Sequence, residues 1–157
     1  MSTSTAISVE SRILSEGYGP GAWHGADLKA ALADVTPDAA YWRPAAGRHN
    51  IAEIALHHAF YARSVRAQLS GRPAEPFVLP GDDWFELVGE VTLAWPKVLS
   101  VVDTEQERLA RFVAQVEAGA AGAAVTNEER LSLVLGITCH TVYHAAQIQL
   151  IKRMRST

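Results

Sequence analysis

Two histidines near the carboxyl end of the sequence have a spacing that suits metal binding. His140 and His144 lie four residues apart in an apolar stretch with helical periodicity. Residues four apart on an α-helix differ by only about 40° around its axis, so both imidazoles project from one face and can share a divalent ion. A histidine pair of this kind can also be packed or solvated without any metal, so a metal site needs a third ligand.

The sequence offers two candidates for that third ligand. His57 and His58 are neighbours in a second helical pattern and lie about 100° apart around its axis. Only one of them can therefore point directly at the helix of the first pair, and the periodicity does not decide between them. His24 and His49 lie beside loops and are left out of the predicted site.

Three further polar residues are close in sequence to these histidines. Glu53 precedes His57 by one turn and could orient its ring or act as a base, but it also fits an N-terminal capping role. Gln147 follows His144 by three residues and could hydrogen-bond its ring, or it could form an ordinary bond between helices. Tyr143 is offset by about 100° from His144 and is interpreted as a packing residue. Glu53 and Gln147 are therefore the candidate catalytic residues.

The histidines belong to two of three long helices that the periodicity predicts. Helical patterns occupy Ile7–Leu14, Asp27–Asp34, 50–69, a stretch from Thr92 or Trp95 to Ala118, and a last helix that Thr126 or Asn127 caps and that ends near Arg155. Glycine and proline interrupt the first pattern at 17–21, while residues 38–48 and 71–83 are predicted to be irregular. No stretch shows the alternation of period two that indicates a strand.

The predicted fold is all-α. Three helices of roughly 20 to 26 residues, each about 30 to 40 Å long, and one broken N-terminal helix make a four-helix bundle with a long crossing loop. Asn50 followed by Glu53 resembles a capping box, and Gly71 and Gly119 are signals for helix ends. We expect residues 1–157 to form a single domain.

These residues carry a resemblance to the DinB/YfiT-like family, which covers nearly the whole chain. The matching segments are Asn50-Ile51-Ala52-Glu53-Ile54-Ala55-Leu56-His57, the stretch from His140 to Ile148, Gly19 to Gly25 and Trp42-Arg43-Pro44. The resemblance implies a bundle whose helices run up, up, down, down. It also implies that His57, His140 and His144 hold a divalent metal. Ala146 replaces a glycine that is common in the family, and all three implied ligands are retained.

Three neutral imidazoles leave a coordination position free, as in catalytic metal sites. Zinc is our first choice, and nickel, iron or manganese would also accept these ligands. A thiol or a water bound there would lose its proton and become a nucleophile at neutral pH. The resemblance implies a thiol-dependent S-transferase or isomerase, or a hydrolase, that acts on a small molecule and uses a low-molecular-weight thiol in the first case. The alternative is a non-catalytic metal-binding bundle that serves dimerisation or partner binding.

Composition excludes several other classes. A net charge of −3 and 14 scattered Lys and Arg residues provide no basic surface for nucleic acid. One cysteine, Cys139, excludes an intramolecular disulfide and a cysteine-rich zinc site. No apolar run is long enough to span a membrane, and Met1 to Glu10 does not resemble a signal peptide. We therefore expect a cytoplasmic protein. As a separate expectation, the chain forms a homodimer.

Overall fold

The computed structural model describes residues 8–156, which form six α-helices and contain no strand. The helices are α1 (Val9–Tyr18), α2 (Leu28–Leu32), α3 (Pro37–Tyr41), α4 (Ile51–Ser70), α5 (Trp95–Glu117) and α6 (Asn127–Arg155). The all-α prediction is confirmed for this part of the chain. Among these helices, none is both long enough and apolar enough to cross a membrane.

The ends of the long helices follow local signals. The Asn50 side chain accepts a hydrogen bond from the Glu53 N–H at 2.9 Å, and the Glu53 carboxylate accepts one from the Asn50 N–H at 3.3 Å. This capping box fixes the start of α4, and Gly71 in the left-handed conformation (φ 66°) ends it. Thr126 and Glu129 form the same motif at α6. Helix α5 begins at Trp95 rather than Thr92, so Pro96 lies in the first turn, where a missing N–H costs nothing.

The first helix extends beyond its predicted end. Ile7 lies outside the described residues, and α1 continues past Leu14 through Gly17 to Tyr18. A Cβ on Gly17 would lie 3.0 Å from the Cβ of Thr141, so this glycine allows α1 to approach α6 closely. The sequence pattern was wrong here because it assigned Gly17 to a turn, whereas the helix ends only at Gly19 (φ 102°).

A short helix replaces part of the predicted loop at 38–48. Thr36 caps α3 by accepting a hydrogen bond from the Ala39 N–H at 3.3 Å, and Pro37 occupies the first turn. Only residues 42–48 of that predicted loop are irregular. The irregular crossing predicted at 71–83 extends to residue 94.

Contacts between the helices give their directions. Near their starts, α1 and α6 are joined by Glu10 and Arg130, whose Oε2 and Nε atoms are 2.7 Å apart. Helix α2 continues along α6, where Lys152 donates a hydrogen bond to the Ala31 carbonyl at 3.1 Å. Since the residue numbers increase together, α1 and α2 form one broken element parallel to α6.

Two clusters of buried side chains show that α4 and α5 are parallel to each other. Both helices begin in the first cluster and end in the second. The first includes Ile51, Leu56, Leu87, Trp95, Val98, Val102 and Ile148. The second includes Leu14, Val65, Leu69, Leu109, Val113, Val134 and Ile137.

The bundle therefore runs up, down, down, up in the order α1, α4, α5, α6. The order up, up, down, down that the family resemblance implied is wrong. The physical reason is the crossing at 71–94, which returns the chain to the end of the bundle where α4 began. Helix α6 is then antiparallel to α4, and this pairing brings the middle of one helix to the middle of the other.

Candidate metal centre

Three imidazoles converge where α4 faces α6. His57 comes from α4, and His140 and His144 come from successive turns of α6. The ring centroid of His57 lies 5.0 Å from that of His140 and 4.9 Å from that of His144, and the two rings of α6 are 4.3 Å apart. Each ring offers one nitrogen to the three-histidine cluster, and these nitrogens lie within 4.8 Å of one another. A single divalent ion could be held at this position.

Hydrogen bonds orient two of the rings. His57 donates from Nδ1 to the carbonyl oxygen of Asp83 at 3.0 Å, and His144 donates from Nδ1 to Oε1 of Gln147 at 2.7 Å. A neutral imidazole that donates from Nδ1 keeps its lone pair on Nε2. Of the two roles considered for Gln147, the structure has the hydrogen bond to the His144 ring, which is of the kind that orients metal-binding histidines.

The ring of His140 shows whether these side chains suit a metal ion. Nε2 of His140 is buried and has no hydrogen-bond partner within the described part of the chain. Such an orphaned nitrogen costs about 1 to 3 kcal/mol unless something else binds it. A metal ion would satisfy it, so the residues present fit the ion that the sequence predicts.

The adjacent histidine of α4 faces the core. His58 is fully buried, with Nε2 3.2 Å from Oε1 of Gln106 and Nδ1 3.3 Å from Oγ1 of Thr141. Both of its ring nitrogens already have partners inside the bundle. Periodicity left the choice between His57 and His58 open, and the structure places His57 in the three-histidine cluster.

The cluster is electrically neutral near neutral pH. Burial, reinforced by the neighbouring imidazoles, lowers the pKa of His140 to about 4. Burial likewise lowers the pKa of His144 to about 4, although its bond to Gln147 opposes the change. The pKa of His57 is also lowered, chiefly by burial. Because an imidazole must be neutral to bind a metal, these shifts keep the rings competent well below pH 6.5.

An aromatic stack supports His57 from behind. Trp84 lies parallel to His57 with 3.8 Å between ring centroids, and parallel to His49 with 3.6 Å between centroids. Two rings so close to one indole would collide on the same face, so the indole is sandwiched between them. His49, which was left out of the predicted site, is thus the outer layer of a stack that ends at a candidate ligand.

Asp83 is a residue of the site that sequence reasoning missed. Its backbone adopts the left-handed conformation (φ 63°), which is uncommon outside glycine but best tolerated by Asp and Asn. Its carbonyl oxygen accepts the hydrogen bond from Nδ1 of His57. Its carboxylate oxygen Oδ1 is buried and lies 3.2 Å from the same Nδ1 atom. Only the course of the crossing loop brings it there, and the sole sequence signal is the turn-forming pair Gly81-Asp82 before it.

Glu53 lies apart from the three-histidine cluster. Its carboxylate accepts hydrogen bonds from Arg43, from Nδ1 of His49 at 3.0 Å and from the Leu87 N–H at 3.0 Å, besides the capping bond to Asn50. Burial raises its pKa, but these donors outweigh burial and leave the pKa below 4.5. The role of Glu53 as a base remains a prediction. The contacts in the structure are those of a carboxylate that joins the start of α4 to two loops.

The rim of the site is open to solvent in places. Asp83 exposes 49% of its side chain and Tyr143 is 62% exposed, whereas His57 and His144 are only 5% and 4% exposed. Tyr143 touches the edge of His144, with 5.2 Å between ring centroids. Solvent therefore reaches the rim at Asp83 and Tyr143, while the rings of His57 and His144 stay shielded from water.

Comparisons with known proteins give one family match. Residues 22–148 match the model of the DinB superfamily, and this range includes all three histidines of the cluster. No curated protein and no solved structure matches the chain.

Proposed function

Since the chain belongs to the DinB superfamily, whose model matches residues 22–148, we propose that it is a divalent-metal-dependent enzyme that acts on a small molecule. One observation carries the proposal, namely the buried Nε2 of His140, which has no partner among residues 8–156 and lies between two rings whose own Nε2 atoms carry lone pairs. A core histidine normally finds a hydrogen-bond partner, as His58 does. Three converging imidazoles that each keep one nitrogen for a shared ion are the donor set of an open, catalytic type of site.

The ion would be held by His57, His140 and His144. When bound, a divalent ion in such a site supplies Lewis-acid chemistry that makes a water or a thiol nucleophilic at neutral pH. Zinc is the first choice, and nickel, iron and manganese are alternatives.

The protein's own groups position the reactants. Asp83 and Gln147 hold the rings of His57 and His144 in the tautomer that directs Nε2 towards the cluster. Trp84 and the rings themselves exclude water from one side, and the partly exposed Asp83 carboxylate at the rim can accept a proton from an incoming thiol or water.

The reaction we propose is a thiol-dependent transfer or isomerisation, with hydrolysis as the alternative. Both reactions would begin with deprotonation of a small nucleophile at the three-histidine cluster. They differ in whether that nucleophile is a low-molecular-weight thiol or water. The partly exposed side chain of Asp83 leaves room for a small substrate to approach the rim in either case.

The test is reconstitution followed by a substrate screen. The metal-free protein is loaded in turn with zinc, nickel, iron and manganese and assayed with several thiols paired with small electrophiles, and with esters or amides alone. We expect one metal per chain and turnover that His140→Ala abolishes while His24→Ala retains it. Stoichiometric metal without turnover of any substrate would favour the non-catalytic alternative, and absence of metal binding would overturn the proposal altogether.

A further inference from the structure

The exposed surface of α6 lacks charge over most of its length. Residues 131–150 contain no Asp, Glu, Lys or Arg. The exposed residues in this range are Leu131, Ser132, Leu135, Gly136, Cys139, Tyr143, Ala146 and Leu150, which we call the outer face. At about 100° per residue they fall on one side of the helix, opposite the buried side that packs on α1, α2 and α4.

This composition is unusual for a solvated helix. Leu150 is 58% exposed, Leu135 44% and Leu131 39%. Helix α5 shows the ordinary pattern, because Lys97, Asp103, Glu107, Arg108 and Arg111 are exposed on its surface. A continuous apolar stripe rimmed by charge is typical of an interface.

We propose that the outer face binds a second copy of the same chain, with the two α6 helices antiparallel. The occupant is identified by the charges at the two ends of the face. Glu128 precedes the uncharged stretch and Arg153 follows it, and both are exposed on the same side of α6 as the outer face. In an antiparallel pair each Glu128 lies against Arg153 of the other copy, so the face is complementary to itself. A partner of uniform charge would oppose one of the two ends.

The same two-fold arrangement aligns the apolar residues. A two-fold axis between antiparallel helices relates residues at equal distances along α6 from one central point. For Glu128 and Arg153 this point lies between residues 140 and 141, and for Leu131 and Leu150 it is the same. Leu135 is related to Ala146 in the same way, so a large side chain meets a small one. Gly136 and Ala146 leave room for the two helices to approach closely. An isologous dimer needs this kind of self-complementary pattern.

The interface is separate from the three-histidine cluster but borders it. His140 and His144 point towards α4, whereas Tyr143 belongs to the outer face and touches the edge of His144. A second copy would cover Tyr143 and so form part of the rim of the site. The proposal does not depend on the metal or on enzymatic activity, because it rests on the surface of α6 alone.

The first experiment measures mass in solution. Sedimentation equilibrium of the purified chain should give twice 17.0 kDa. Glu128→Arg and Arg153→Glu should each raise the dissociation constant at least tenfold, because each places like charges in contact twice per dimer. The double variant Glu128→Arg/Arg153→Glu should restore the dimer. The matched control Glu107→Arg/Arg111→Glu exchanges an exposed charge pair on α5 and should leave the mass unchanged.

The second experiment uses the chain's own cysteine. Cys139 is exposed and lies near the proposed two-fold axis, so a short bismaleimide should cross-link two copies efficiently. Leu135→Glu should abolish the cross-link without loss of helical signal, because Leu135 is already partly exposed. Moving the cysteine to α5, with Cys139→Ser and Glu107→Cys, should also abolish it. A monomer at tens of micromolar, or a dimer unaffected by Leu135→Glu and by the charge exchanges, would overturn the proposal.

Discussion

The two adjacent histidines of α4 illustrate how strongly a role depends on surroundings at the scale of one residue. His57 and His58 have the same side chain and lie on the same helix. His57 keeps one ring nitrogen available, whereas both ring nitrogens of His58 are hydrogen-bonded in the core. The difference of about 100° around the axis separates a candidate ligand from a buried packing residue. Substitution of each residue should therefore affect different properties.

We predict that His57→Ala removes metal binding with little effect on folding. His58→Ala should instead destabilise the fold and retain metal binding. Loss of the buried His58 leaves a cavity and unpaired groups on Gln106 and Thr141, which should cost about 2 to 4 kcal/mol. Metal analysis and urea unfolding of both metal-free variants measure the two effects. Equal metal content in the two variants would contradict the assignment of His57.

Gln147 has a narrower role, because its side chain touches a single ligand ring. We predict that Gln147→Ala weakens metal binding about 10- to 100-fold while the stoichiometry and the free energy of unfolding of the metal-free protein stay nearly unchanged. Competition with a chromophoric chelator measures the affinity. Gln149→Ala, two residues further along α6, is the control and should bind metal normally; equal losses in both variants would show that Gln147 does not act through His144.

At the scale of the elements, Glu53 joins the start of α4 to the loop at 42–48 and to the crossing at 71–94. We predict that Glu53→Gln lowers the free energy of unfolding by about 2 to 4 kcal/mol, because Arg43 and the Leu87 N–H lose a charged acceptor. The exposed Glu86→Gln in the same crossing is the control and should cost little. If Glu53→Gln instead abolished activity at unchanged stability, the predicted role as a base would be supported.

Sequence reasoning succeeded where the signal is local. Asn50 followed by Glu53 identifies the start of α4 because capping is a contact between residues three apart, and of the two candidate caps for α6 the structure selects Thr126. Gly17 was misinterpreted because a glycine is needed there for the close approach to Thr141, which is far away in sequence. The directions of the helices and the position of Asp83 were not predictable for the same reason, since both depend on the course of the crossing loop.

At the scale of the whole molecule, the lowered pKa values connect the cluster to stability. His140 and His144 take up protons near pH 4 in the folded chain but near 6.5 in the unfolded chain. Between these values the unfolded state binds more protons, so stability rises with pH across this window and falls as the pH drops from about 6.5 towards 4.

We therefore predict that the metal-free protein is folded and cooperative at pH 7 and loses stability below pH 6.5, with a slope of up to about 1.4 kcal/mol per pH unit for each histidine. Urea unfolding at pH 7, 6 and 5 measures this slope. The variant His140→Ala/His144→Ala should reduce this slope, and the remainder should come from His57 and His58, whose pKa values burial also lowers. A metal-free chain without cooperative unfolding at pH 7 would mean that the ion is structural, which would remove the main support for a catalytic site.

The pairing of α4 with α6 also determines when the three-histidine cluster can form. Two of its three histidines lie on the helix that the ribosome makes after α1, α4 and α5, so the nascent bundle displays a long unpaired groove before any chelating pair is present. A metal held by this cluster would bind only after α6 docks, because the earlier helices provide one of its three histidines, His57. Metal bound by all three histidines would thus mark chains in which α4 and α6 have met.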